Sequence, residues 1–124
     1  MILIVGGEGS GKRSFARSLG YTDEDMSDGI LDRAPVIFHA EKLTMADPAS
    51  AAALSRALAE KEVVICNETG SGIIPMRPQE RRGREATGQL CILLARQAKA
   101  VVRMVCGIPC VIKGRLPSEE QPGR

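Results

Sequence analysis

The chain has 124 residues and a mass of 13.3 kDa, a length typical of one domain. Its 17 Lys and Arg against 15 Asp and Glu leave a net charge of +2, which argues against binding to nucleic acid or membranes through charge. Aromatic residues make up only 2% of the chain, which also argues against a protein that stacks single-stranded bases on aromatic side chains. We therefore expect no nucleic-acid partner.

Strands and helices alternate along the sequence, with a polar segment after the first helix. In chain order, the pattern predicts a strand over 1–5, a helix over 12–19, a loop or short helix over 21–34, a strand over 35–40, a helix over 49–61 with Asp47 as its cap, a strand over 62–67, a helix over 79–99 and two strands over 101–106 and 110–113. This order indicates an α/β protein with a mainly parallel sheet, closed by an antiparallel C-terminal β-hairpin. We assign residues 1–113 to a single domain and 114–124 to a disordered tail.

The distribution of apolar residues and cysteines indicates a cytoplasmic protein. No stretch approaches the roughly 20 apolar residues that cross a bilayer, and the apolar opening at 1–5 is too short for a signal peptide. The four cysteines, Cys66, Cys91, Cys106 and Cys110, accompany a single histidine, and the last two have three residues between them. We interpret them as buried free thiols rather than as disulfides or metal ligands.

A glycine-rich loop with a lysine follows the first predicted strand. Gly6-Gly7-Glu8-Gly9-Ser10-Gly11-Lys12 matches the first seven positions of G-x-x-x-x-G-K-[ST]. Glycines allow successive backbone N–H groups to face phosphate oxygens, and Lys12 would reach the outer phosphates as a positive charge. A strand before the loop and a helix after it favour a phosphate-binding loop over a simple glycine-rich turn.

The eighth position of this motif departs from the pattern. Arg13 stands where Ser or Thr would coordinate Mg²⁺, and the hydroxyl comes one residue later at Ser14. One residue turns a helix by about 100°, so Ser14 replaces the missing metal ligand only if the loop shifts its register. Two alternatives stay open for Arg13: it points to solvent, or it places its guanidinium near the phosphates as a partial substitute for the metal.

A second glycine-rich loop, Asn67-Glu68-Thr69-Gly70-Ser71-Gly72-Ile73-Ile74-Pro75, follows the predicted strand over 62–67. Carboxyl ends of parallel strands share one edge, so both loops should open together. This loop resembles the N-E-x-G-x-G-[IV]-[IV]-P signature of the adenosylcobinamide kinase / adenosylcobinamide-phosphate guanylyltransferase family. The opening at 4–12, the segment 84–89 and the closing segment 105–113 are also similar to that family.

The resemblance implies a P-loop NTPase-like three-layer sandwich that is often trimeric. It also implies GTP or ATP with Mg²⁺ as cofactors, phosphorylation of the cobinamide side-chain hydroxyl, and guanylyl transfer through a GMP–histidine intermediate. Residues Gly6 to Lys12, with Arg13 and Ser14 beside them, would then bind the nucleotide phosphates, and Glu41 and Asn67 would contact the nucleotide. We infer that Lys12 and Glu68 are the catalytic residues, with Glu68 acting as a base or holding Mg²⁺ together with Ser14.

The chain also departs from the family pattern. The segment that carries the guanylylated histidine is missing between Tyr21 and Pro35, and a strand ending in an acidic residue is missing after Glu41. His39 is predicted inside the second strand, as a packing residue or as a nucleophile. The alternative to a kinase that uses a corrinoid substrate is therefore a non-catalytic paralogue that binds nucleotide for regulation or assembly. Because the core is small, we also predict a homo-oligomer.

Overall fold

The structure is a computed structural model, and it describes residues 1–68 and 77–117. The described elements are β1 (Ile2–Gly6), α1 (Lys12–Ser18), β2 (Met26–Asp28), β3 (Val36–Phe38), α2 (Glu41–Ala46), α3 (Ala51–Leu58), β4 (Val63–Asn67), α4 (Pro78–Gln97), β5 (Ala100–Val105) and β6 (Ile108–Lys113). Two short 3-10 turns cover Asp23–Asp25 and Pro48–Ser50.

The described strands form one sheet in the order β2-β3-β4-β1-β5-β6. The central strand β1 pairs in parallel with β4 on one side and with β5 on the other. The pairs β2–β3 and β3–β4 are parallel too, and only β5–β6 is antiparallel. The α/β class, the mainly parallel sheet and the C-terminal hairpin predicted from the sequence are confirmed.

Helices cover both faces of the sheet because side chains alternate along each buried strand. In β1, Ile2 and Ile4 belong to a core that includes Ala16 of α1. The intervening Leu3 belongs to a second core, with Leu90 and Leu94 of α4. The sheet therefore lies between two helical layers, which confirms the three-layer sandwich.

The long helix α4 begins with Pro78 at its first position, where a missing N–H costs no hydrogen bond. Its buried residues recur every three to four positions, as a helix that packs one stripe on a sheet requires. They are Gly83, Ala86, Thr87, Leu90 and Leu94. Across residues 1–68 and 77–117, none of the helices combines the length and the apolar character that crossing a bilayer demands.

Two elements differ from the sequence prediction in the first half of the chain. The segment 21–34 contains the strand β2, which is too short and too polar to be visible as an apolar pattern. The short helix α2 precedes the predicted alanine-rich helix, which begins with a 3-10 turn and continues as α3 only to Leu58. Pro48 begins the 3-10 turn, which takes the place of the first two predicted helical positions, 49 and 50.

The β5–β6 turn is tighter than predicted. The sequence placed a break at 107–109, but β5 extends to Val105 and β6 begins at Ile108. Only Cys106 and Gly107 connect them, both with positive φ, at 50° and 77°. Two positive φ values are those of a type I′ turn, whose twist matches the strands of a hairpin. Pro109 fits inside β6 because an edge strand need not donate every backbone hydrogen bond.

The four cysteines are free, as predicted, but they are not all buried. Cys66 is buried in β4 and Cys91 is half-buried, whereas Cys106 and Cys110 are exposed. The prediction of burial is wrong for the last two because the apolar residues around them form an edge hairpin. Leu116, which the sequence placed in the tail, is instead buried against the core on the α1 face. Residues 118–124 of the predicted tail lie outside the described residues.

Candidate functional site

The loop between β1 and α1 depends on glycine at both of its ends. A Cβ at Gly6 would come within 2.8 Å of the Met104 carbonyl oxygen of β5, so no larger residue fits there without a shift. Gly11, just before α1, has a φ of +94°, which side chains strongly disfavour. Between them, the N–H of Ser10 donates to the Gly7 carbonyl over 3.2 Å and closes the turn.

Lys12 is the first residue of α1 and is only 7% exposed. Its ammonium group donates to the Gly7 carbonyl and, over 3.4 Å, to the Ser10 hydroxyl. In the part of the chain that the structure describes, Lys12 has no ion-pair partner. Burial lowers the pKa of Lys12, and attraction to nearby acidic groups, Glu41 foremost, opposes that shift. The Lys12 ammonium is thus buried with uncharged hydrogen-bond acceptors only. This arrangement favours the binding of an anion next to it.

A cleft of about 420 Å³ opens beside this loop, at the carboxyl ends of β3 and β4. Its volume falls within the range of small-molecule binding sites in proteins. The cleft is lined by Glu8, Gly9, Gly11, Lys12, Arg13, Ser14, Arg17, Phe38, His39, Ile65 and Asn67. Most of the predicted phosphate loop and Asn67 therefore share one cavity, at the sheet edge where α/β proteins bind their ligands.

Arg13 lies on an aromatic ring in the wall of the cleft. Its guanidinium carbon is 4.6 Å from the ring centroid of Phe38, within the range of a cation–π contact. Neither sequence alternative described this contact, which requires α1 to lie next to the end of β3. Ser14, the next residue, also lines the cleft.

The start of the second loop is joined to α2 by a hydrogen bond. The backbone N–H of Asn67, at the end of β4, donates to Oε1 of Glu41 over 3.1 Å. The structure thus brings together two of the predicted nucleotide-contacting residues, of which Asn67 faces the cleft. The remainder of that motif, residues 69–75, lies outside the described residues.

Glu68 is engaged in an ion pair and is not among the residues that line the cleft. Its two carboxylate oxygens accept hydrogen bonds from Arg103 of β5, over 2.7 Å from Nε and 3.1 Å from Nη2. The hydrogen bond to Glu68 and its charge raise the pKa of Arg103. This two-bond pairing fixes the orientation of the Glu68 carboxylate toward β5.

The two residues predicted to hold Mg²⁺ do not lie together in the lining of the cleft. Mg²⁺ requires octahedral oxygen ligands, usually one or two carboxylates with phosphates and water. Of the two predicted ligands, Ser14 lines the cleft, but Glu68 is paired with Arg103. Among residues 1–68 and 77–117, no group of three or more His, Cys, Asp or Glu side chains is placed to hold a metal ion.

His39 lies in the cleft and not inside the second strand. Strand β3 ends at Phe38, and His39 follows with a φ of 54° and a side chain that is 28% exposed. Its Nδ1 lies 2.7 Å from Oδ1 of Asp28, an oxygen that also accepts a hydrogen bond from Lys42 over 2.8 Å. Hydrogen bonds from Lys42 and His39 lower the pKa of Asp28. The prediction that His39 sits within the strand is wrong.

Asp28 and Lys42 were missed by the sequence analysis. Asp28 ends β2, and β2 pairs in parallel with β3, so the residues after both strands meet at the same edge as the glycine loop. The polar segment gave no strand pattern from which this placement could be deduced. Asp28 thus ends a strand that precedes β3, whereas between Glu41 and β4 the structure has only α2, a 3-10 turn and α3, so the strand expected to be missing after Glu41 is indeed absent there.

The central strand β1, the glycine loop that follows it and the buried lysine define a protein of the P-loop NTPase-like α/β class. A family model described as cobinamide kinase / cobinamide phosphate guanyltransferase matches residues 34–112, well over half of the chain. The chain belongs to this family. The matched segment contains His39, Glu41, Asn67 and Glu68 and begins after the glycine loop. No curated protein matches the chain.

Proposed function

We propose that the protein binds GTP or ATP in the cleft and transfers the γ-phosphoryl group to the side-chain hydroxyl of cobinamide. The observation that carries this proposal is the buried Lys12 ammonium, held by neutral acceptors at a glycine loop that borders a cleft of about 420 Å³. The family supports a cobinamide kinase-like function. The homo-oligomer, a trimer by resemblance, and the cytoplasmic location stay predictions.

The chain's own groups would act mainly by positioning and by stabilising charge, as in other phosphoryl transfers. Backbone N–H groups from Gly7 to Gly11 would hold phosphate oxygens, and Lys12 would move from the Gly7 carbonyl to the outer phosphates. The hydroxyl oxygen of the acceptor forms a bond to the γ-phosphorus. The bond from that phosphorus to the bridging oxygen breaks, the nucleoside diphosphate leaves, and the hydroxyl proton is lost.

Other predicted site residues take supporting roles in this proposal. Arg13, held on Phe38, and Ser14 would border the phosphates, while Glu41 and Asn67 would shape the nucleotide side of the cleft. Glu68 would fix the end of β4 against β5 through Arg103 and not act as the base. Any Mg²⁺ would be coordinated chiefly by the nucleotide.

The second candidate is a protein that binds nucleotide without catalysis, for regulation or assembly. Two observations favour it: Arg13 stands at the position of the metal-binding hydroxyl, and the Glu68 carboxylate is engaged by Arg103. Both candidates require nucleotide in the same cleft, so only a transfer assay separates them.

The test is transfer of label from γ-³²P GTP or ATP to cobinamide, with and without Mg²⁺. The wild-type protein should label the corrinoid, and Lys12→Ala should reduce the rate by about 100-fold or more, because a group that neutralises developing charge is lost. Lys99→Ala is the matched control, since Lys99 is exposed and lies outside the cleft. Label that never leaves the nucleotide, with nucleotide-dependent stabilisation retained, would replace the kinase by the non-catalytic candidate.

A further inference from the structure

The backbone at His39 has a conformation that few residues with side chains adopt. His39 joins β3 to α2 with a φ of 54°, in the left-handed region. Such a conformation costs free energy in residues with a Cβ, less in Asn, Asp and His than in others, and residues held this way concentrate at functional sites. At this junction it places the imidazole in the wall of the cleft that also contains Lys12.

The imidazole is held by neighbours from different elements. Its Nδ1 lies 2.7 Å from Oδ1 of Asp28, and the Phe38 ring contacts it edge to face with centroids 4.9 Å apart. Lys42 donates to the same Asp28 oxygen over 2.8 Å and stabilises the carboxylate. An ionised carboxylate only accepts hydrogen bonds, so Nδ1 carries a proton, and the form of the ring with one proton has its lone pair on Nε2.

The other ring nitrogen is free to react. Within residues 1–68 and 77–117, no group hydrogen bonds Nε2 of His39, whereas both oxygens of Glu68 are engaged by Arg103. A histidine that lines a ligand cleft and is oriented by a carboxylate through one ring nitrogen has the arrangement of a general base. Of the two groups, His39 is thus better placed than Glu68 to accept a proton.

We propose that His39 is the proton acceptor for the hydroxyl that attacks the γ-phosphate, and that Asp28 positions it. This inference rests on the proposed function. As the acceptor oxygen bonds to the γ-phosphorus, its proton moves to Nε2 of His39. The electron pair of the broken bond to the bridging oxygen leaves with the nucleoside diphosphate. Asp28 stabilises the imidazolium that forms, which afterwards returns the proton to water.

The main test is His39→Asn, assayed for transfer to cobinamide and for hydrolysis of the nucleotide. Asn tolerates positive φ better than other residues with side chains, so the junction is kept while the proton acceptor is lost. We expect kcat to fall by about 100-fold or more, within the usual range of general base catalysis. The rise in melting temperature on adding nucleotide should be unchanged.

Two further variants separate catalysis from structure. His39→Gly accommodates the positive φ without strain, and imidazole added to the buffer should restore part of its activity, which a merely structural role would not allow. Asp28→Asn should lower kcat by about tenfold and leave KM nearly unchanged, because a positioning residue acts through His39. Lys99→Ala again serves as the control.

The outcomes distinguish this inference from the proposed function. A wild-type protein that transfers phosphate, with His39→Asn equally active or His39→Gly not rescued by imidazole, overturns the role of His39 and leaves the kinase intact. A wild-type protein that is stabilised by nucleotide but transfers phosphate neither to cobinamide nor to water overturns both the kinase activity and the role of His39 as the proton acceptor. Absence of any nucleotide binding overturns the proposed function itself, and with it the role of His39 as the proton acceptor.

Discussion

The backbone N–H of Gly107 donates a 3.0 Å hydrogen bond to the carbonyl of Ser10, joining the β5–β6 turn to the glycine loop. The contact is close, because a Cβ at Gly11 would approach Cα of Gly107 to 3.4 Å. The turn of the C-terminal hairpin therefore packs against the phosphate loop and holds it through this hydrogen bond. The proposed nucleotide site depends on a segment almost one hundred residues further along the chain.

Gly107→Ala should weaken both the fold and nucleotide binding. Gly107 has a φ of 77° with open space at its Cβ position, so alanine adds backbone strain of about 1–2 kcal/mol and no clash. Relaxation of that strain would move the N–H that holds Ser10 and would lower nucleotide affinity several-fold. Urea unfolding measures the first effect and titration calorimetry the second.

Gly20→Ala is the matched control for this prediction. Gly20 also has a positive φ, 107°, and open space around its Cβ position, but it follows α1 and makes no contact with the loop. Its substitution should cost a similar free energy of unfolding and leave nucleotide affinity unchanged. Equal affinities for the two variants would show that the hairpin does not support the site.

Cys106→Asn should stabilise the protein. Cys106 has a φ of 50° at the first position of the two-residue turn, where type I′ geometry favours Asn followed by Gly. Relief of strain should raise the free energy of unfolding by about 1 kcal/mol, measured in urea. Cys110→Asn, which also removes an exposed thiol but lies within β6, should bring no gain. A lower unfolding midpoint for Cys106→Asn would contradict the turn assignment.

Thr87→Val should destabilise the contact between α2 and α4. The Oγ1 atoms of Thr44 and Thr87 lie 2.7 Å apart in the buried interface, and Thr87 also donates to the Gly83 carbonyl over 2.9 Å. Valine fills the same space but lacks the hydroxyl that makes both hydrogen bonds, at a cost of about 1–3 kcal/mol in the free energy of unfolding. Thr87→Ser keeps the hydroxyl and should lose less. Equal stability of the two variants would refute the role of the hydrogen bonds.

The four thiols should react with iodoacetamide in a defined order. The hydrogen bond to Cys91, together with burial, raises the pKa of the Cys66 thiol, so little thiolate forms at neutral pH. We expect Cys106 and Cys110 to be alkylated first, Cys91 next and Cys66 last, as followed by peptide mass spectrometry. In denaturant the four rates should converge. Early modification of Cys66 in the native protein would contradict its placement in the core.

The central strand, the glycine loop and the hairpin could be predicted because their patterns are local. The apolar run at 2–5 ends directly in the glycines, and the final strands lie close together in sequence. Strand β2 could not be predicted in the same way. Its residues, Met26-Ser27-Asp28, become a strand only because Val36, Ile37 and Phe38 pair with them.

Only part of the site could be predicted, again because some of its contacts join residues that are far apart in the sequence. The loop around Lys12 follows from its own sequence, but the Glu68–Arg103 pair joins residues that are 35 positions apart. That pair depends on the strand order β4-β1-β5, which cannot be deduced from the sequence alone. The positive φ of His39, which takes its side chain out of the strand pattern, likewise depends on where α2 begins.

The measurement that tests the central claim most directly is the binding of GTP and ATP to the wild-type protein and to Lys12→Ala by titration calorimetry. If the glycine loop and Lys12 hold the phosphates, the wild-type protein should bind one nucleotide per chain. Lys12→Ala should bind about 10–100-fold more weakly, the effect of losing a charged hydrogen-bonding group, while Lys99→Ala binds like the wild type. Absence of binding to the wild-type protein, or equal affinity after loss of Lys12, would contradict the claim.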